Sequence, residues 1–185
     1  MKKSTRCTKL PILLMVIAVV SALLLGVSNS YTAPIIEENR LRTLESKMFS
    51  YFPEVDEFLI ETVDDEEFFV VKDDDNIQGV ATVVKSSGYG GRIELMLAVN
   101  NHGYIEGVEI LSHSETPGLG SEITEPEWLA QFNGLTAFDE IEISEDIDVI
   151  AGATRSCEGV AEGTKIALDN ISQAYYDTDD NTFND

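Results

Sequence analysis

The segment Asp148-Val-Ile-Ala-Gly-Ala-Thr154-Arg-Ser156 carries one exposed-type hydroxyl among small residues. No base stands near Thr154 in sequence, so it does not read as a self-activated nucleophile. A long helical pattern follows, and its N-cap is expected at Ser156. Helix N-termini present free N–H groups and the positive end of the dipole, which stabilises a phosphate held there. Arg155 adds a charge-assisted contact, and Gly152 and Ala153 keep the approach free of bulk. The local chemistry therefore suits a phosphate beside Thr154. The plainer alternative is an ordinary helix cap.

A second stretch, Ser114 to Ile123, reads SETPGLGSEI. Pro117 fixes its own φ and pushes Thr116 toward extended backbone. Gly118 and Gly120 accept positive φ and leave amides uncovered, with Leu119 as the apolar side chain between them. Such a loop can lay backbone amides and an aliphatic group against a flat heteroaromatic ring. The plainer alternative is a strand-exit turn.

Other chemistries find no support. CxxC, CxxCH, clustered His/Cys metal spacing, Walker and GxGxxG motifs are all missing from the sequence. The two histidines, His102 and His113, have no triad-like company. Of 12 basic residues, Lys2, Lys3, Arg6 and Lys9 precede residue 31, a region without acids. The rest of the chain holds the remaining 8 and all 34 acids, a net −26. That field repels phosphate backbones and excludes nucleic acid as a partner.

These loops need elements to hold them. Leu10 to Val27 is 18 residues without a charge, and helices need roughly 17–25 residues to cross a bilayer. The basic residues before it place the N-terminus in the cytoplasm and the rest outside. A cleaved signal peptide is the rival reading. Cys7 precedes the apolar run and so is no lipoprotein cysteine; Cys7 and Cys157 fall on opposite sides of the membrane. Pro34 to about Tyr51 has helical periodicity. EFFVVK, GVATVVK, RIELMLAV and YIEGVEILSHS follow as an antiparallel meander with Gly/Asn/Asp turns. TEPEWLAQF predicts a short helix capped by Thr124 with Glu127, ending near Phe132 before Gly134. From Ser156 onward, Val160, Ala161, Ala167, Leu168, Ile171, Ala174 and Tyr175 have the spacing of a helix lying on a sheet. The expected fold is α+β, an antiparallel sheet with packed helices, preceded by one N-terminal transmembrane helix. Its parts are a basic N-terminus (1–9), the transmembrane helix (10–30), a helical linker (31–60), the outer domain (61–176) and an acidic tail (177–185).

Taken together, the N-terminal span, TAPIIEENR, HSETPGLGSEI and DVIAGATRS resemble the G subunit of the Rnf complex, the ion-translocating ferredoxin:NAD oxidoreductase. The resemblance spans nearly the whole chain. It extends to the C subunit of the sodium-translocating NADH:quinone reductase, whose chains are usually longer. It implies an FMN-binding domain with FMN attached covalently to Thr154 through a phosphoester. Ser156 and Arg155 would lie at the phosphate, and Glu115, Thr116, Gly118, Leu119 and Gly120 near the ring. Asp148, Gly152 and Ala153 would be read by a separate Mg²⁺-dependent flavin transferase that makes the bond from FAD. Ala151 stands where the family often has Ser or Thr. The implied role is an electron carrier in the cell membrane, single-pass, with its FMN domain outside, working beside other subunits of an electron-transport complex. It is not a complete enzyme alone. Two rival functions are a flavin domain serving another extracytoplasmic reductase and a cofactor-free acidic binding module.

Overall fold

The computed structural model describes residues 5–53, 58–64, 66–73 and 76–176. The tip of the DDDN turn and the acidic tail 177–185 lie outside the described residues. Two compact units divide the chain, 1–46 and 47–185.

The first unit is helix. α1 spans Thr5–Tyr51 and continues into the second unit. Every described side chain from Pro11 to Ile36 is exposed, and the apolar part of this run is long enough to cross a membrane. Two helices were expected here, a transmembrane one and a linker beginning at Pro34; the structure has one. The hydroxyls of Ser30 and Thr32 donate to the carbonyls of Gly26 and Ser28, at 3.0 and 2.9 Å. The polar joint is thus satisfied inside the helix, and Pro34 removes only one N–H.

The second unit is built on a five-stranded antiparallel meander in sequential order. Its strands are β1 (Phe58–Val63), β2 (Glu66–Asp73), β3 (Asn76–Ser87), β4 (Arg92–Asn100) and β5 (Ile105–His113). The four expected strands are β2 to β5. β1 is additional, and it begins inside the stretch expected as linker. It is an edge strand with Leu59 and Ile60 half exposed, so it lacks the alternation that marks a half-buried strand.

Both faces of the sheet are covered. On one, Val80 and Val84 of β3 and Ile93, Leu95, Leu97 and Val99 of β4 pack with Cys157, Val160, Ala161, Ala167, Leu168 and Ile171. Those last residues belong to α3 (Thr154–Ile171), which ends in a π turn, Ser172–Tyr176. Close approach requires glycine: a Cβ on Gly159 would sit 2.7 Å from the Ser87 carbonyl oxygen. On the other face lies the end of α1 that belongs to this unit, Lys47 to Tyr51. The rings of Phe52 and Tyr51 occupy the places that side chains at Gly79 and Gly107 would need.

α2 is a single turn, Pro126–Leu129, extended as a 3₁₀ turn to Phe132. Its N-cap is Glu125, not the expected Thr124, because Pro126 takes the first helical position that its fixed φ suits. Thr124 instead donates its hydroxyl to the Ser121 carbonyl at 2.9 Å. α3 also starts earlier than expected. Its N-cap is Ala153, with Thr154 as the first helical residue. Gly152 makes the turn at φ +79°, and the Ala153 carbonyl accepts the N–H groups of Ser156 and Cys157 at 2.9 and 3.0 Å. Ser156 does not cap because its hydroxyl is drawn elsewhere, to Glu115.

Candidate functional site

Three segments meet at the N-terminal end of α3. β5 leads into the loop from Ser114, which closes as a 3₁₀ turn, Gly120–Thr124. The α3 start supplies Gly152 to Ser156. The β3–β4 turn, Gly88-Tyr-Gly-Gly91, supplies the third wall. Between them lies a cleft of about 270 Å³. Its lining brings together Glu115, Thr116, Leu119 and Gly120 with Gly152, Ala153, Arg155 and Ser156, which are thirty or more residues away in sequence. The two stretches singled out for their chemistry therefore form one site.

Each wall has its own character. Thr154 is exposed at the first helical position, beside the cleft. Its amide and that of Arg155 fall in the first turn, where a helix supplies no acceptor. Arg155 is 60% exposed and pairs with Glu158, Nη1 to Oε2 at 3.1 Å. Leu119 is 45% exposed, and its Cδ1 would lie 2.9 Å from a Cβ placed on Gly152. Gly118, at φ +74°, lets the loop turn, and its N–H donates to Ser121 Oγ at 2.8 Å. Tyr89 stands 79% exposed at the tip of its turn.

Beneath these, polar groups are buried and satisfied. Ser156, 1% exposed, donates to Glu115 Oε2 at 2.6 Å, and the Gly90 amide donates to both Glu115 oxygens. Cys157 is fully buried, and burial pushes its thiol above the ordinary range, so it is no thiolate. Asp148 is exposed and lies outside the cleft lining. Its backbone is pinned on both sides: its carbonyl accepts Trp128 Nε1–H at 2.7 Å, and its N–H donates to Gln131 Oε1 at 2.8 Å. The short helix thus holds the approach to the Gly-Ala-Thr turn. Among the described residues no cluster of His, Cys, Asp and Glu could hold a metal ion.

Sequence reasoning missed Tyr89 and the amide of Gly90. The signal was the GYGG cluster, read only as a turn. An aromatic residue between glycines is poor turn chemistry, which favours small polar residues.

Residues 88–169 match the FMN-binding domain family. That segment opens at the Tyr89 turn and closes within α3, so it contains every wall of the cleft. This segment is similar to FMN-binding domains. The chain is 34% identical over 93 residues to the G subunit of the proton-translocating ferredoxin:NAD(+) oxidoreductase complex of Clostridium ljungdahlii, covering 48% of this chain and 50% of that one. It therefore spans about half the length of that relative. The G subunit of the ion-translocating oxidoreductase complex of Methanosarcina acetivorans is 29% identical over 184 residues, 93% of this chain and 98% of that one. The crystal structure of the C subunit of the Na(+)-translocating NADH-quinone reductase from Parabacteroides distasonis shares the fold, with a TM-score of 0.51 at 23% identity over 58% of this chain and 61% of that one. The features of the cleft suit such a ligand. A phosphate would meet first-turn amides and Arg155, while Leu119 and Tyr89 offer apolar surface to a ring.

Proposed function

We propose that this chain is a membrane-anchored flavoprotein subunit that carries FMN covalently on Thr154. It passes electrons within an Rnf-type complex coupling ferredoxin:NAD electron transfer to ion translocation. The observation that carries this reading is the convergence of the Thr116–Gly120 loop and the Gly152–Ser156 turn on one cleft, with the exposed residue Thr154 between two of its lining residues, Ala153 and Arg155. The relatives that align over most of this chain are G subunits, of an ion-translocating oxidoreductase complex in Methanosarcina acetivorans and of a Na(+)-translocating ferredoxin:NAD(+) oxidoreductase complex in Acetobacterium woodii, which supports the Rnf type.

FMN supplies the redox chemistry when bound; the protein supplies binding, orientation and electrostatics. Thr154 presents its hydroxyl at the helix start with no side chain crowding it at Gly152 or Ala153. A flavin transferase recognising Asp148, Gly152 and Ala153 joins Thr154 Oγ1 to the FMN phosphorus of FAD. One P–O bond forms, the pyrophosphate bond breaks, AMP leaves, and the hydroxyl proton passes to the transferase. The first-turn amides and the α3 dipole then hold the phosphate, with Arg155 free to exchange Glu158 for it. Leu119 covers the ring and limits water. A covalent bond retains the cofactor outside the cytoplasm, where dissociated FMN would be lost.

The test is co-expression with a flavin transferase, followed by a denaturing gel under ultraviolet light. The wild-type band fluoresces, Thr154→Ser retains some signal, and Thr154→Ala is dark. A fluorescent Thr154→Ala band overturns the attachment site.

A further inference from the structure

Glu115 is only 6% exposed, and a buried carboxylate must collect donors. Its donors come from two other segments. The Ser156 hydroxyl in the first turn of α3 donates to Oε2 at 2.6 Å. The Gly90 N–H in the β3–β4 turn is shared between Oε1 and Oε2 at 3.1 and 3.2 Å. The Glu115 backbone is fixed as well, its N–H donating to His113 Nδ1 at 3.2 Å. Glycines box the carboxylate in. A Cβ on Gly120 would lie 2.7 Å from Oε2, and one on Gly88 would collide with Oε1. The carboxylate thus stands where all three walls of the cleft come together, yet the polar groups it binds are protein groups.

We propose that Glu115 is the positioning residue of this cleft: its carboxylate ties the Tyr89 turn and the first turn of α3 to the 115–120 loop, so the walls keep their spacing as one body. It acts through Gly90 and Ser156. The presentation of Thr154 and the placement of Leu119 and Tyr89 then depend on a single side chain that need not touch the cofactor. This rests on reading the cleft as the flavin site, but the deciding measurement does not need flavin.

The experiment is amide hydrogen exchange on the full chain in detergent, without cofactor. Hydrogen bonds to a charged group are among the stronger ones, so their loss should speed exchange about tenfold or more. In Glu115→Ala, the hydrogen-bonded amides of Gly88, Gly90, Ser156 and Cys157 accelerate together, while those of residues 95–98 in β4 stay protected and report an intact sheet. In Ser156→Ala, the α3 start loosens and Gly90 remains protected. If Glu115→Ala loses protection throughout β4, Ser156→Ala and Glu115→Gln carry the test, with Glu115→Gln expected to loosen at least the Gly90 turn. After loading with FMN, the visible circular-dichroism band of the flavin changes in each loosened variant. Unchanged exchange at Gly90 in both Glu115 variants, or loosening of only one wall in Glu115→Ala with β4 protected, overturns the proposal. A wild-type chain that never takes up FMN overturns the flavin reading while leaving the exchange result to stand by itself.

Discussion

Two small contacts at the cleft set distinct expectations. Gly152 has φ +79°, and a Cβ there would lie 2.9 Å from Leu119 Cδ1. Gly152→Ala therefore adds backbone strain of about 1 kcal/mol or more, measurable by urea unfolding, and lowers attachment of FMN by distorting the turn that presents Thr154. Leu119 itself is 45% exposed, so Leu119→Ala should change folding stability by no more than about 0.5 kcal/mol. Labelling should stay near normal, because retention rests on the bond at Thr154. The flavin's absorption spectrum and reduction potential should shift as apolar cover is lost and water enters. If neither shifts, the loop is structural only.

At the scale of elements, the contact of α3 with β3 decides where the cleft lies. A Cβ on Gly159 would meet the Ser87 backbone, with the carbonyl oxygen at 2.7 Å and its carbon at 3.1 Å, and backbone cannot yield as a side-chain tip can. Gly159→Ala should cost about 1–3 kcal/mol despite the better helix propensity of alanine, and denaturant midpoints would show it. The far end of the helix is tied to the edge strand. The Tyr175 hydroxyl donates to Glu61 Oε2 at 3.1 Å, and Lys72 donates to Glu61 Oε1 at 2.8 Å. The Lys72 hydrogen bond holds the Glu61 carboxyl below its ordinary range. A depressed folded-state value stabilises above the unfolded value of about 4.3 and is lost as pH falls through the folded one. Glu61→Gln should therefore lower Tm at pH 7, with the difference from wild type vanishing as pH drops below about 4. A difference that persists at pH 3 would assign the effect to packing.

For the whole molecule, the prediction concerns electron flow. Thr154 is exposed, so Thr154→Ala should shift folding by no more than about 0.5 kcal/mol and leave the protein in the membrane at normal abundance. Vesicles carrying it should lose ferredoxin-dependent NAD⁺ reduction and the coupled ion gradient. Full activity with a normal blot would show the flavin here to be dispensable. Sidedness is tested by labelling introduced cysteines with an impermeant reagent. Those beyond residue 31 should react in intact cells, and reaction only in inverted vesicles would reverse the topology. By itself the sequence determined the apolar N-terminal helix, four of the five strands, the long helix over the sheet, and the two loops that line the cleft. These are written locally, in uncharged length, in alternation, in helical spacing, and in Pro and Gly placed to turn the chain. It did not determine β1, whose exposed edge erases alternation, or the join of anchor and linker into one helix, which depends on hydroxyls satisfied along the helix itself. Nor did it determine the start of α3. The cap fell to Ala153 because Ser156 is bonded to Glu115, 41 residues away. The third wall at Tyr89 and Gly90 and the buried carboxylate that binds it were likewise decided only by tertiary structure. A carboxylate in a loop looks solvated until folding buries it and brings distant donors to it.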